Sequence, residues 1–277
     1  MLSQDSPVGI FDSGMGGLSV VRAMRRMMPS ENCIYLGDTA RIPYGPKSPE
    51  TVRRYSLEAA ANLVDSGAKA VIIACNTATV AALDALREAH PDIPVFGVVE
   101  PGARAAAQVT RNKHVGVIAT AGTVKSGKHA EFLAGLLPGS KTSGIPCPLF
   151  VSLVEEGWMD GPPAQAVAER YLAPVFSAPD EDRPDTLILG CTHFPFLSEA
   201  LRAVLGDSVT LVDPAELTIR DLEKALGEKN LLRAAGKAPS YEFRTTGDPE
   251  RFATVGGMIL EMPMKPGAIV TVDLGPA

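Results

Sequence analysis

The sequence is poor in cysteine and has none of the patterns that make cysteine structural. Its four, Cys33, Cys75, Cys147 and Cys191, form no CxxC and no paired spacing of a zinc framework. A disulfide scaffold and a zinc module are excluded, and a reduced, cytoplasmic protein with free thiols is expected. No apolar run approaches the ~20 residues of a membrane helix, so no membrane partner is expected. The opening "MLSQDSPVGIFDSG" lacks a basic region and a long apolar stretch, so no secretory signal is expected. Basic residues are outnumbered, 26 against 32 acidic, for a net charge of −6. Nucleic acid is therefore not expected as a partner, because phosphate binding leaves a basic footprint. The turn "DSGMGG" is not GxGxxG, so the dinucleotide fingerprint is missing too.

What remains is an ordinary composition, 45% hydrophobic and 21% charged. At roughly 100–200 residues per domain, 277 residues make one large or two modest domains, long enough for a core without disulfide staples. Apolar runs alternate with helical patterns along the chain. "VGIF" leads into "LSVVRAMRRMM", "NCIYLGD" into a Pro/Gly-punctuated loop, and "KAVIIA" into "TATVAALDALREAH". Ser48 and Pro49 read as the cap and first residue of a helix that stops at Gly67. After "IPVFGVV" the alternation restarts with "KHVGVIAT", and later "TLILG" and "SVTLVD" read as strands. The stretch "PDEDRPD" reads as irregular. Continuous apolar strands separated by helices predict a parallel sheet buried on both faces.

In such a sheet, ligands bind beyond the carboxyl ends of the strands. Asp12 and Ser13 fall there, ahead of glycines that let backbone N–H groups approach an anion. The same stretch also reads as a tight turn that needs glycine for its backbone alone. Cys75, in "VIIACNTATVAAL", stands where a strand ends and a helix begins, followed by Asn76 and Thr77. A helix start lowers the pKa of a thiol from its reference of ~8.5 and favours the thiolate. Cys191, in "TLILGCTHFPFLSEAL", repeats this grammar and is followed by Thr192 and His193. His193 reads as a proton relay or as a structural histidine; C-x-H alone is a weak metal signal, and no metal is expected. Cys33 and Cys147 read as small packed hydrophobes. "RIPYGPKS" places Pro43, Tyr44 and Gly45 on a loop, and "LVEEGW" supplies Glu155 and Glu156, which also read as a solvent-facing helix end.

Taken together, "GIFDSGMGGLSV", "YLGDTARIPYGPKS", "IIACNTAT", "LVEEG", "LILGCTHFPFL" and "TTGDPERF" resemble, in order, the motifs of the glutamate racemases, over nearly the whole chain. The resemblance implies a cofactor-free enzyme interconverting L- and D-glutamate, the D-enantiomer feeding peptidoglycan synthesis. It implies an α/β fold of two pseudo-symmetric parallel-sheet domains with the active site in the cleft between them. One domain would comprise residues 1–99 plus 208–277, the other 100–207. Cys75 and Cys191 would be the two acid/base thiols. Asp12 and Ser13 would bind substrate, with Asp12 also close to the first thiol. Pro43, Tyr44, Gly45, Asn76, Thr77 and Thr192 would hold the substrate's carboxylates and amine, and Thr120 would add a carboxylate contact. His193 would assist Cys191, and Glu155 would orient His193. A homodimer is the family-level expectation. With Asp12 so near the start, activation through an N-terminal extension that binds a cell-wall precursor is not expected.

The residues fit that chemistry independently. Racemisation takes a proton from one face of Cα and returns one to the other, and two bases on opposite walls accomplish this directly. No lysine stands where a Schiff base would need it. Three other readings stay open on sequence: an aspartate racemase of the same superfamily, a non-catalytic anion-binding protein with structural cysteines, and a redox pair of Cys75 and Cys191.

Overall fold

The computed structural model describes residues 2–179 and 182–275. Part of the stretch read as irregular, Asp180 and Glu181, lies outside the described residues. The chain divides into two compact units, Met1–Val98 with Ala215–Ala277, and Val99–Pro214. The first unit begins with β1 (Val8–Asp12), α1 (Leu18–Met27), β2 (Cys33–Gly37), α2 (Pro49–Asp65), β3 (Ala70–Ile73), α3 (Asn76–Ala89) and β4 (Val95–Gly97). The second holds α4 (Val99–Val109), β5 (His114–Ala119), α5 (Ala121–Ser126), α6 (Lys128–Leu136), β6 (Lys141–Pro146), α7 (Leu149–Glu155), α8 (Gly161–Phe176), β7 (Thr186–Gly190), α9 (Ser198–Leu205) and β8 (Thr210–Val212). The first unit is then completed by α10 (Ala215–Glu228), β9 (Tyr241–Thr245), α11 (Pro249–Leu260) and β10 (Ile269–Thr271).

Each unit has its own sheet, and every strand pair is parallel. The strand orders are β10-β9-β2-β1-β3-β4 and β6-β5-β7-β8. The α/β reading with parallel sheets thus holds. Its cause is visible in the strands: β1, β2, β3 and β7 are buried at every residue, which suits sheets covered on both faces. Burying each large aliphatic or aromatic side chain contributes about 1.5–3 kcal/mol.

Without β9 and β10, the first sheet reads β2-β1-β3-β4, the same order as β6-β5-β7-β8. Strand β1 therefore corresponds to β5, and β3 to β7. In both sheets the chain leaves the founding strand on one side and returns on the other. The switch points lie between β1 and β3 and between β5 and β7, where open α/β sheets bind ligands. Cys75 lies just beyond β3, and Cys191 just beyond β7. The repeated cysteine grammar of the sequence is a repeated topology.

Three features depart from the expectations. The units change over between Pro214 and Ala215, not at 207/208, because β8 pairs with β7 and stays with the second sheet. Helix α4 runs through "VEPGARAAAQV", where Pro101 and Gly102 disguise it. Pro101 falls in the first turn, where its missing N–H costs no helical bond. Strand β6 is an edge strand with only Ile145 buried, so it carries no apolar run to betray it.

Candidate active site

In the first unit the site is built at the ends of β1 and β3. Asp12 closes β1, is wholly buried, and its Oδ2 accepts the N–H of Gly14 at 3.0 Å. The turn passes so close to Asp12 that a Cβ on Gly17 would lie 2.5 Å from the Asp12 Cβ. Backbone approach therefore requires glycine at that position. Cys75 caps α3 with its sulfur, which accepts the N–H of Ala78 at 3.5 Å. Its Sγ also donates to Ser13 Oγ at 3.5 Å. A backbone N–H aimed at the sulfur stabilises its charged form, as does the positive end of the helix. Asn76 and Thr77 follow, both buried. Neither Oδ1 nor Nδ2 of Asn76 has a hydrogen-bond partner among the described residues. A buried amide in that condition is costly to the fold, which is the mark of a group kept to bind something.

The loop after β2 is held from three directions at Asp38. Arg41 Nε donates to both its carboxylate oxygens, at 2.8 and 3.0 Å. Thr246 Oγ1 donates to Oδ1 at 2.9 Å, and the Tyr44 hydroxyl donates to Oδ2. Burial, and then the charge of Asp38, push the Tyr44 phenol well above its ordinary pKa, so it remains a donor. The hydroxyl of Tyr44 is thus engaged within the protein, and the loop offers Pro43, exposed, and Gly45, half-buried, on either side of it. Sequence reasoning missed Asp38, Arg41 and Thr246. One signal for Asp38 was available, since it stands directly beyond β2 as Asp12 stands at the end of β1.

In the second unit, Cys191 begins the turn after β7, and its carbonyl accepts the N–H of Phe194 at 3.0 Å. That turn brings His193 back onto the thiol, with Nδ1 3.8 Å from Sγ. On the other side of the imidazole, Nε2 lies 3.4 Å from Oε1 of Glu155, at the end of α7. The imidazole thus lies between a thiol and a carboxylate, all largely buried. Of the "LVEEG" carboxylates, only Glu156 is on the solvent face; Glu155 turns inward. Thr192 is buried beside Cys191 in the chain. Thr120 caps α5, accepting the N–H of Thr123 at 3.4 Å, and stands after β5 as Asp12 stands at the end of β1. Cys147 is fully buried, its thiol pushed up to about 12 by burial and then by the charge of Cys191. Burial likewise raises Cys33. Both remain thiols at neutral pH. Among the described residues no group of three or more His, Cys, Asp or Glu is disposed to hold a metal ion, and no helix is long and apolar enough to cross a membrane.

A model of the Asp/Glu/Hydantoin racemase family matches residues 15–222. The chain belongs to this racemase family. It is 46% identical over 253 residues to the glutamate racemase of Geobacter metallireducens, covering 91% of this chain and 92% of that one. Among solved structures, it is similar to glutamate racemase from Francisella tularensis in complex with D-glutamate, with TM-score 0.89, 37% identity and 98% of each chain covered. It is similar also to the Thermus thermophilus enzyme in complex with β-chloro-D-alanine, with TM-score 0.86, 43% identity and 98% of each chain covered. A racemase needs groups that remove and return a proton at carbon. Each unit here holds one thiol at its switch point, with neighbouring polar groups of a different kind in each.

Proposed function

We propose that this chain is a glutamate racemase that works without a cofactor, using Cys75 and Cys191 as its two bases. The observation that carries the reading is the matched pair of thiols at equivalent strand ends, each with its own hydrogen-bonding apparatus. In one direction a thiolate removes the Cα proton, and the other thiol delivers a proton to the opposite face. The thiols exchange roles in the reverse reaction. The carbanion is offered the unpartnered amide of Asn76 and the N-terminal end of α3, fixed dipoles that need no reorganisation as charge develops.

The two thiols are served differently. Cys75 has a hydroxyl, Ser13, and a helix N–H; Asp12 completes that side. Cys191 has His193, which Glu155 orients, so the imidazole passes a proton to or from the sulfur. Ser13, Thr77, Thr120 and Thr192, with the Pro43–Gly45 loop, supply short polar groups that can donate to two carboxylates and accept from an ammonium. We assign the product D-glutamate to bacterial peptidoglycan and the protein to the cytoplasm as a homodimer, which light scattering checks. The test of the reaction is to incubate L-glutamate with the purified protein, without added cofactor, and follow its circular dichroism. Decay to zero signal is expected, with L-aspartate unchanged. Decay with aspartate alone would move the substrate, and decay with neither would end the reading.

A further inference from the structure

A buried phenol that is not among the assigned site residues lies close to the first half-site. Tyr35, on β2, is fully buried, and its hydroxyl donates to the carbonyl of Gly14 at 2.8 Å. The N–H of the same residue, Gly14, donates to Oδ2 of Asp12 at 3.0 Å. Gly14 is thus held at both ends, by a phenol on one side and the site carboxylate on the other. The strand register explains how. Tyr35 pairs with Ile10 and Gly37 with Asp12, so Tyr35 and Gly37 share one face of β2. Gly37 has no side chain there, and a Cβ would lie 2.5 Å from the Gly14 oxygen. The missing side chain lets the Gly14 carbonyl settle against the strand, and the phenol two residues earlier reaches up to it. Phe252, on α11, backs the arrangement, its ring 6.0 Å from that of Tyr35.

We infer that Tyr35 is a positioning residue for the Cys75 side of the reaction, fixing the Asp12 carboxylate through the backbone of Gly14, whose carbonyl it holds and whose N–H the carboxylate accepts. Burial, and then the charges of Asp12 and Cys75, keep the phenol protonated far above neutral pH, so it is a donor wherever the enzyme works. Without the hydroxyl, the Gly14 carbonyl is left in a buried place with no donor from Tyr35. The Gly14–Met15 peptide is then free to turn, and rotation about the Gly14 Cα carries the N–H of the neighbouring Ser13–Gly14 peptide away from Oδ2, so Asp12 loses a bond that orients its carboxylate. The second unit, with Cys191, His193 and Glu155, is untouched.

This inference rests on the two-thiol reading, and Tyr35→Phe tests it while keeping the ring. Because the equilibrium constant of a racemisation is one, kcat/KM must fall equally in both directions; a misplaced catalytic group makes that fall about 10–100-fold. The informative readout is the kinetic isotope effect with α-deuterated L- and D-glutamate. Disturbing one base of two makes proton transfer at that base more rate-limiting, so the effects in the two directions should move apart from their wild-type values. Rates within twofold of wild type, or a loss with isotope effects unchanged in both directions, would overturn the inference. Should Tyr35→Phe fail to fold, Gly37→Ala displaces the same carbonyl from the strand side and must give the same asymmetry; its absence would equally overturn it. A wild-type protein that racemises nothing would instead end the functional reading itself, and this inference with it.

Discussion

The sulfur of Cys75 accepts the backbone N–H of Ala78 at 3.5 Å, taking the position at a helix start that a serine or aspartate oxygen usually fills. Serine at Cys75 should therefore cap α3 as well as cysteine and leave the melting temperature unchanged or higher. It should nonetheless lower kcat by about 10³-fold or more, since an alcohol is a far weaker acid than a thiol and cannot share the proton near neutral pH. Cys191→Ser should lose a similar factor. The pair of measurements, thermal melting and racemisation, separates capping from catalysis. Near-wild-type activity in either variant would remove that thiol from the mechanism.

The imidazole of His193 lies 3.8 Å from the Cys191 sulfur through Nδ1 and 3.4 Å from the Glu155 carboxylate through Nε2. His193→Ala should lower kcat by roughly 10²–10⁴-fold, the range of a lost general acid or base. Glu155→Gln retains an oxygen near Nε2 and should cost about tenfold or less. Steady-state kinetics in both directions rank the two. A larger loss at Glu155 than at His193 would contradict the order of the relay.

Asn76 gives an opposite signature for stability and activity. Its buried amide has no partner among the described residues, so Asn76→Ala removes an uncompensated polar group. The variant should be as stable as the wild type or more stable by up to about 1 kcal/mol. Its kcat/KM for glutamate should fall about 10–100-fold, the value of a hydrogen bond to a charged ligand. Urea unfolding beside substrate kinetics checks both. A loss of stability would mean that the amide serves the fold.

His129 should contribute to acid sensitivity. Burial pushes its imidazole down to about 4 from an ordinary 6.5. Between those pH values the unfolded chain binds the proton and the folded one does not. The stability that comes from keeping His129 neutral is complete above pH 6.5 and is lost as pH falls through 6.5 to about 4. At 1.36 kcal/mol per pH unit this amounts to about 3 kcal/mol. His129→Leu should lose that much less stability than the wild type between pH 7 and pH 4, as urea titrations would show. Parallel curves would refute it.

Legibility in the sequence followed how local the physics was. The turn at Asp12 and the cap at Cys75 were readable because strand end, thiol or carboxylate, and helix start are contiguous. The same holds for Cys191 with His193, two residues apart. The inward turn of Glu155 was not readable, because "LVEEG" fits a surface helix end until α7 packs. Helix α4 carries Pro101 and Gly102 in its first turn, where proline is tolerated but where neither residue signals a helix in the sequence. The engagement of the Tyr44 hydroxyl was hidden for another reason. Its acceptor, Asp38, is shared with Thr246, 208 positions away, and no local pattern brings those two together. In the sequence Tyr35 is one residue of an apolar strand, since its partner is a main-chain carbonyl and leaves no mark in residue type.

The central claim is that one thiol removes the proton and the other returns a different one. The most direct test runs the reaction in deuterated water, from L-glutamate and then from D-glutamate, and reads the Cα position by NMR and mass spectrometry before a tenth of the substrate has turned over. Two bases require that every product molecule carry deuterium at Cα while the remaining substrate keeps its protium. Product that retains the original proton would mean that a single base carries it across, and the two-thiol account would be wrong.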